Sequence, residues 1–195
     1  DPNSTNPYQL TEADRTVIGN TTPKFSGGFG LNATYKGFDM SMFFNFMYDF
    51  DVLNANKIML TTWADNKENN FLMDIASDKR WRNFDDMGNE IRYSPEVLAE
   101  FNKNATMWNP TSIGRPICMS YAVEDGSFLR LSTLTVGYTF PQRWLSRLGV
   151  KSLRLYFSGS NLFTLTGYSG YDPEVNIQKG LTPGIDNNVT PRSRV

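Results

Sequence analysis

The sequence predicts an all-β chain: part of a transmembrane antiparallel β-barrel, with long extracellular loops that contain short helices. Three observations predict it. Apolar and polar side chains alternate through four segments. Those segments are about twice as long as the strands of a soluble domain. Their connections alternate between short and long, as they do in barrels that cross a membrane.

The elements follow in order. Residues 1–23 form a polar loop rich in Asn, Thr and Pro. A first strand is expected over 24–35, with Phe25, Gly27, Phe29, Leu31, Ala33 and Tyr35 on one side and Ser26, Gly28, Gly30, Asn32 and Thr34 on the other. Lys36-Gly37 is a tight turn. A second strand is expected over 38–50, where Phe38, Met40, Met42, Phe44, Phe46, Tyr48 and Phe50 alternate with a facing set that is polar apart from Phe43 and Met47. The pair reads as a hairpin with one apolar face.

Residues 51–125 show no such alternation and are too long for an ordinary connection, so they should be functional or packed on something. Ser94-Pro95 is a helix start, an N-cap followed by proline at the first position, with Val97, Leu98 and Phe101 on one side. The segment "NKENNFLMDIASDKRW" is a second helix candidate. A third strand is expected over 127–140, where Leu134, Val136, Tyr138 and Phe140 alternate with Thr135, Gly137 and Thr139. The apolar set changes parity between Leu131 and Leu134, which predicts a bulge near Ser132-Thr133. "PQRWLSRLG" is a moderate turn. A fourth strand is expected over 152–163, with Leu153, Leu155 and Phe157 opposite Ser152, Arg154, Tyr156 and Ser158, and residues 164–195 form a second long loop. Both ends, "DPNSTNPYQL" and "NNVTPRSRV", read as interrupted loops, so the chain is expected to be part of a longer one.

What buries the apolar faces decides between a soluble sandwich and a membrane barrel. A tilted fourteen-residue strand spans roughly 35 Å, enough to cross an apolar band about 25 Å tall. Tyr35, Phe38, Tyr138 and Phe140 gather at the short-turn ends, and Tyr48 and Phe50 at a long-loop end, as interfacial girdles would. Lipid is therefore the expected partner of Phe29, Leu31, Met42, Phe44, Phe46, Val136 and Leu155. Asn32, Asp39, Ser41, Asn45 and Arg154 should face the lumen.

Composition excludes much else. The net charge of −1 leaves no footprint for nucleic acid and no polybasic membrane signal. There is no histidine, which removes the commonest general base and zinc ligand, and with it any Ser/His or Cys/His nucleophile. No enzyme, cofactor or metal site is expected. Cys118 is alone and cannot form an internal disulfide. No apolar run of about 18 residues could form a membrane-spanning helix. Asp172 and Glu174 in "GYDPEV" match no complete calcium loop and read as a turn. Trp63, Trp81, Trp108, Tyr168 and Tyr171 lie in the long loops and are candidates for contact with cargo or with a lid.

The residues also carry a resemblance. "TVIGNTTPKFSGGFGLNATYKGFDMSMFFNF" resembles an IGN-x-x-P loop leading into a strand and a YKGFD turn. "VEDGSFLRLSTLTVGYTFP" resembles a DGSFLRL run into a GYTFP strand end, and "LRLYFSGSNLFTLTGYSGYDPEV" an NLFTLT-x-Y-x-G-x-DPE segment. "TPGIDNN" with "PRSR" resembles the approach to a last strand. In this order they are similar to the C-terminal part of the SusC/RagA family of TonB-dependent outer-membrane transporters. The resemblance implies the last strands of a 22-stranded barrel, with plug domain, TonB contact and final strand outside this chain. It further implies a SusD-like surface lipoprotein as lid and an oligosaccharide or peptide as cargo. A carbohydrate-binding β-domain without transport is the competing expectation.

Overall fold

The computed structural model describes residues 15–62, 71–75, 79–110, 118–175 and 183–187. The strands among them are β1 (Phe25–Tyr35), β2 (Phe38–Tyr48), β3 (Asp51–Asn54), β4 (Val123–Asp125), β5 (Phe128–Thr139), β6 (Arg154–Thr166) and β7 (Ile185–Asp186). Four of them make one antiparallel sheet in the order β1-β2-β5-β6, and β4-β3-β7 make a second, smaller one. Lys36 and Gly37 both take positive φ, 45° and 91°, the combination that suits a two-residue hairpin turn to the twist of its strands.

Register sorts the large sheet into two faces. Phe29 pairs with Phe44, Leu31 with Met42, and Tyr35 with Phe38. Across the next ladder Phe46 meets Leu129, Phe44 meets Leu131, Met42 meets Leu134 and Met40 meets Val136. Leu155 then pairs with Tyr138, and Phe157 with Val136. These residues share one apolar face. Asn32, Ser41 and Thr135 share the other, as do Asp39 with Gly137 and Asn45 with Arg130. The ladders shift register between Leu131 and Thr133, so the extra residue lets the apolar set change parity without changing face. Asn161, at φ 52°, sits at the matching irregularity of β6.

The apolar face is largely uncovered. Leu155 is 60% exposed, Leu31 51%, Phe29 45% and Val136 37%. Its rings pack along the sheet instead: Phe29 stacks on Phe44 at 5.0 Å, and Phe163 meets Phe44 edge-on at 6.5 Å.

The buried core lies elsewhere. Phe50, Val52, Phe128, Tyr168 and Val175 form it, with Met47 packed against them. Phe50 was expected on the apolar face at a girdle. Instead β2 ends at Tyr48, Asp49 turns at φ 58°, and Phe50 is only 3% exposed. That one positive-φ residue breaks the period of two and sends the chain inward. The fourth strand begins at Arg154 and continues to Thr166.

The loops hold three short helices among the described residues: α1 (Ala55–Met59), α2 (Pro95–Phe101) and α3 (Gln142–Leu145). Pro95 opens α2 behind Ser94, but the apolar side of α2 buries little, with Val97 42% and Phe101 36% exposed. Of the second helix candidate only a 3-10 turn, Met73–Ile75, forms among the described residues. None of the described helices is long and apolar enough to cross a membrane, a statement that does not bear on strands.

Candidate functional site: a cleft in the loop body

The long loops fold back over one side of the sheet, and the register shows which. Met47, Phe128 and Arg130 share the polar face with Asn45 and Thr164, and they are what the loop body rests on. The segment Asp125-Gly126-Ser127 holds the corner. Ser127 donates its N–H (2.9 Å) and hydroxyl (2.5 Å) to Asp125 Oδ1, while the Asp49 N–H donates to Ser127 Oγ at 2.9 Å. A Cβ on Gly126 would come within 2.6 Å of both Phe50 and Val52, so only glycine lets the core close.

Arg130 then pins the body to the wall. It is 2% exposed, donates from Nη2 to Asp172 Oδ1 at 2.5 Å, and brings Nη1 within 3.4 Å of Glu174 Oε2. Its guanidinium also lies 5.1 Å from the Phe128 ring. Asp172 and Glu174 are thus structural anions, and Asp172 Oδ1 accepts the Glu174 N–H at 2.9 Å to shape the turn. No group of metal-ligating residues occurs among the described residues.

Beyond this clamp β3, α1 and the 169–171 segment surround a cleft of about 430 Å³, lined by Asn54, Asn56, Lys57, Leu60, Leu72, Asp74, Ser169, Gly170 and Tyr171. Asn54 caps α1, its side chain accepting the Lys57 N–H at 3.1 Å. Behind the cleft, Glu124 accepts from Lys57 Nζ (3.2 Å), the Ser169 N–H (2.9 Å) and the Ser169 hydroxyl (2.8 Å). Burial pushes the Glu124 carboxyl up, but the Ser169 donors and Lys57 outweigh it and hold it below its ordinary value. Lys57 Nζ also lies 4.3 Å over the Tyr121 ring, whose hydroxyl donates to Asp74 at 2.6 Å. Tyr168 donates to Asp186 at 2.5 Å. Burial first, then the adjoining carboxylates, raise both tyrosines above their ordinary range, so they remain donors.

The structure separates the five aromatic candidates. Trp63 lies outside the described residues. Tyr168 belongs to the core, with 6% exposure. Trp108 donates to the Thr61 carbonyl at 3.2 Å and meets Tyr121 edge-on at 5.2 Å, which knits the loop together. Trp81 is 42% exposed and away from the cleft lining. Tyr171, 71% exposed, stands at the cleft. The polar lining was missed by sequence reasoning; the only signal was Asn54 in an N-cap position.

On the polar face of the sheet, Arg154 reaches Asp39 with Nε at 3.2 Å and Nη2 at 2.5 Å. The pair passes over Gly137, where a Cβ would come within 2.7 Å of both side chains. Ser132, in the bulge, donates to Asn45, and Thr135 bonds Ser158 at 3.1 Å.

No family model matches the chain. Relatives do. A TonB-dependent receptor, P3, of Formosa agariphila is 34% identical over 93% of this chain. SusC of Bacteroides thetaiotaomicron, also a TonB-dependent receptor, is 37% identical over 37% of it. The RagAB peptide importer in its closed-closed state superposes with a TM-score of 0.68 at 22% identity, covering 95% of this chain.

The chain belongs to the SusC/RagA family of TonB-dependent receptors. It spans 16% of the length of P3 and matches 18% of the RagAB chain. As a SusC/RagA chain it is a portion of an outer-membrane β-barrel, and the β1-β2-β5-β6 sheet is a stretch of that barrel's wall.

Proposed function

We propose that the chain forms wall and mouth of a barrel that imports oligosaccharides across the bacterial outer membrane, driven through TonB. In this reading the apolar face carrying Phe29, Leu31, Met42, Phe44, Phe46, Val136 and Leu155 meets lipid. Asn32, Asp39, Ser41, Asn45 and Arg154 face the lumen, where the barrel's own plug domain sits. A SusD-like surface lipoprotein closes over the long-loop end. The observation that supports the reading is the side chosen by the loop body: it packs on the polar face through Arg130 and Phe128, the face that this reading turns to the lumen.

The cleft suits a neutral polyol. Amides from Asn54 and Asn56, one cation and one carboxylate line it, and Tyr171 offers a flat, exposed ring at its edge. A peptide is the second reading, supported by the opposite charges of Lys57 and Asp74 in the same lining and by the fold shared with the RagAB peptide importer. Uptake of fluorescent oligosaccharides by cells carrying the full-length protein tests the proposal. Deleting TonB should abolish uptake, unlabelled oligosaccharide should compete, and unlabelled peptide should not. Tyr171→Ala with Asp74→Asn should slow uptake roughly tenfold, as loss of a stacked ring and a charged hydrogen bond would. Uptake that persists without TonB overturns the transport reading. Competition by peptide alone replaces the cargo.

A further inference from the structure

The short-turn end of the wall carries a feature that import does not require. On the apolar face Phe38 packs on Tyr138 at 4.4 Å, Tyr138 meets Phe140 at 4.9 Å, and Phe140 lies 6.3 Å from Trp144 of α3. This row crosses from one short connection to the other, and Trp144 at its end is 53% exposed. Each connection adds a cation seated on an aromatic ring: Lys36 Nζ lies 5.1 Å from the centre of Tyr35, and the Arg143 guanidinium 5.9 Å from Trp144. Tyr35 faces the same side as Phe38, its ladder partner, so both cations stand at the margin of the apolar face.

Two further cations, Arg147 and Lys151, follow in the second connection, and residues 140–153 contain no acidic residue. None of Lys36, Arg143, Arg147 and Lys151 forms an ion pair among the described residues. The nearest carboxylate of the wall, Asp39, is on the opposite face and taken by Arg154. The net charge of −1 conceals this local excess, because the acids lie elsewhere in the chain.

We propose that this end is an anionic phospholipid site: Trp144, Tyr35 and the Phe38–Tyr138–Phe140 row sit at the level of the headgroups, and Arg143, Lys36, Arg147 and Lys151 bind lipid phosphates. Aromatic rings with one apolar and one polar aspect settle at the bilayer margin, and long cationic side chains lay their stems on apolar surface while the charge reaches the headgroups. A zwitterionic surface offers phosphates already balanced by its own ammonium groups and has no net potential to draw the four cations, whereas each cation held at an anionic surface favours it roughly fivefold. The occupant is the phospholipid of the leaflet that meets the short turns. The inference rests on the apolar face being the lipid-facing one.

The test reconstitutes the full-length protein in bilayers of equal phosphatidylglycerol and phosphatidylcholine, with bromine on the acyl chains of one lipid or the other. The fluorescence of Trp144, taken as the difference from Trp144→Phe, reports which lipid touches it. Brominated phosphatidylglycerol should quench about threefold more than brominated phosphatidylcholine. Lys36→Gln with Arg143→Gln, Arg147→Gln and Lys151→Gln should bring the ratio to one, and Arg143→Lys with Arg147→Lys should keep it. Equal quenching in the unaltered protein overturns the headgroup inference while leaving the barrel placement intact. Quenching by neither lipid overturns that placement, and this inference with it.

Discussion

Removing the Arg130 guanidinium would leave Asp172 and Glu174, 6% and 13% exposed, facing a gap in place of their cation. Breaking a buried ion pair from one side costs about 3–5 kcal/mol, because the remaining charge no longer has the cation that offset its lost hydration. Arg130→Ala should therefore free the 168–175 segment, read as a rise of several hundredfold in its amide exchange, with the wall strands protected as before. Neutralising all three groups together, by Arg130→Met, Asp172→Asn and Glu174→Gln, should restore much of the protection. The asparagine can still accept the Glu174 N–H that shapes the turn. If the single and triple variants loosen the segment equally, the clamp is not electrostatic. The same chemistry explains why two separated motifs occur together: the arginine of "GSFLRL" and the acids of "GYDPEV" are one interaction, 42 residues apart along the chain for Arg130 and Asp172.

At the scale of elements, the two faces of the wall should respond to charge in opposite ways. Phe44→Arg or Leu155→Arg places a guanidinium on the face read as lipid-facing, at a cost of about 2–4 kcal/mol near the midplane. Ser41→Arg, on the other face, should cost far less. The measurement is the fraction of full-length protein that reaches the heat-modifiable folded form in bilayers, and equal losses would refute the facing. These strands were legible because each residue's side is set by a period of two, read within a dozen positions. The bulge was legible for the same reason, since a parity change in an otherwise regular run has few other causes. The loop body was not, because nothing local announces it. Lys57 and Glu124 meet across 67 residues, and β7 joins β3 from beyond both long strands. Phe50 was misplaced by Asp49, whose positive φ no pattern of hydrophobicity reveals. Tyr168 was read as a contact residue since it lies in a loop, yet it is part of the only buried cluster among the described residues. Tyr171, three positions on, is the one that reaches the cleft.

Taken whole, the chain is a wall held by ladders and a loop body held by side chains, and acid should act on them differently. Ladder hydrogen bonds do not titrate, whereas the loop body joins β3, β4 and 169–171 through the Glu124 carboxylate. Its folded pKa is depressed by the Ser169 donors and Lys57 against the opposing effect of burial. A depressed carboxylate contributes its stability fully above the unfolded value, about 4.3 for glutamate, and loses it as pH falls through the lower folded value. Tyr121 and Tyr168 reinforce this flat neutral range, since both stay protonated and keep donating to Asp74 and Asp186. Amide exchange of residues 51–54, 122–125 and 168–171, corrected for its intrinsic pH dependence, should accordingly stay level from about pH 8 to 5 and rise below about pH 4. Exchange in β1, β2, β5 and β6 should not follow it. Glu124→Gln should remove this carboxylate's acid step, leaving the segment looser than the unaltered protein above about pH 5 and similar to it in acid, because the amide gives up the charge that Lys57 meets. Loosening that begins near neutrality, or that takes the wall with it, would mean the loop body is held together by something other than this carboxylate.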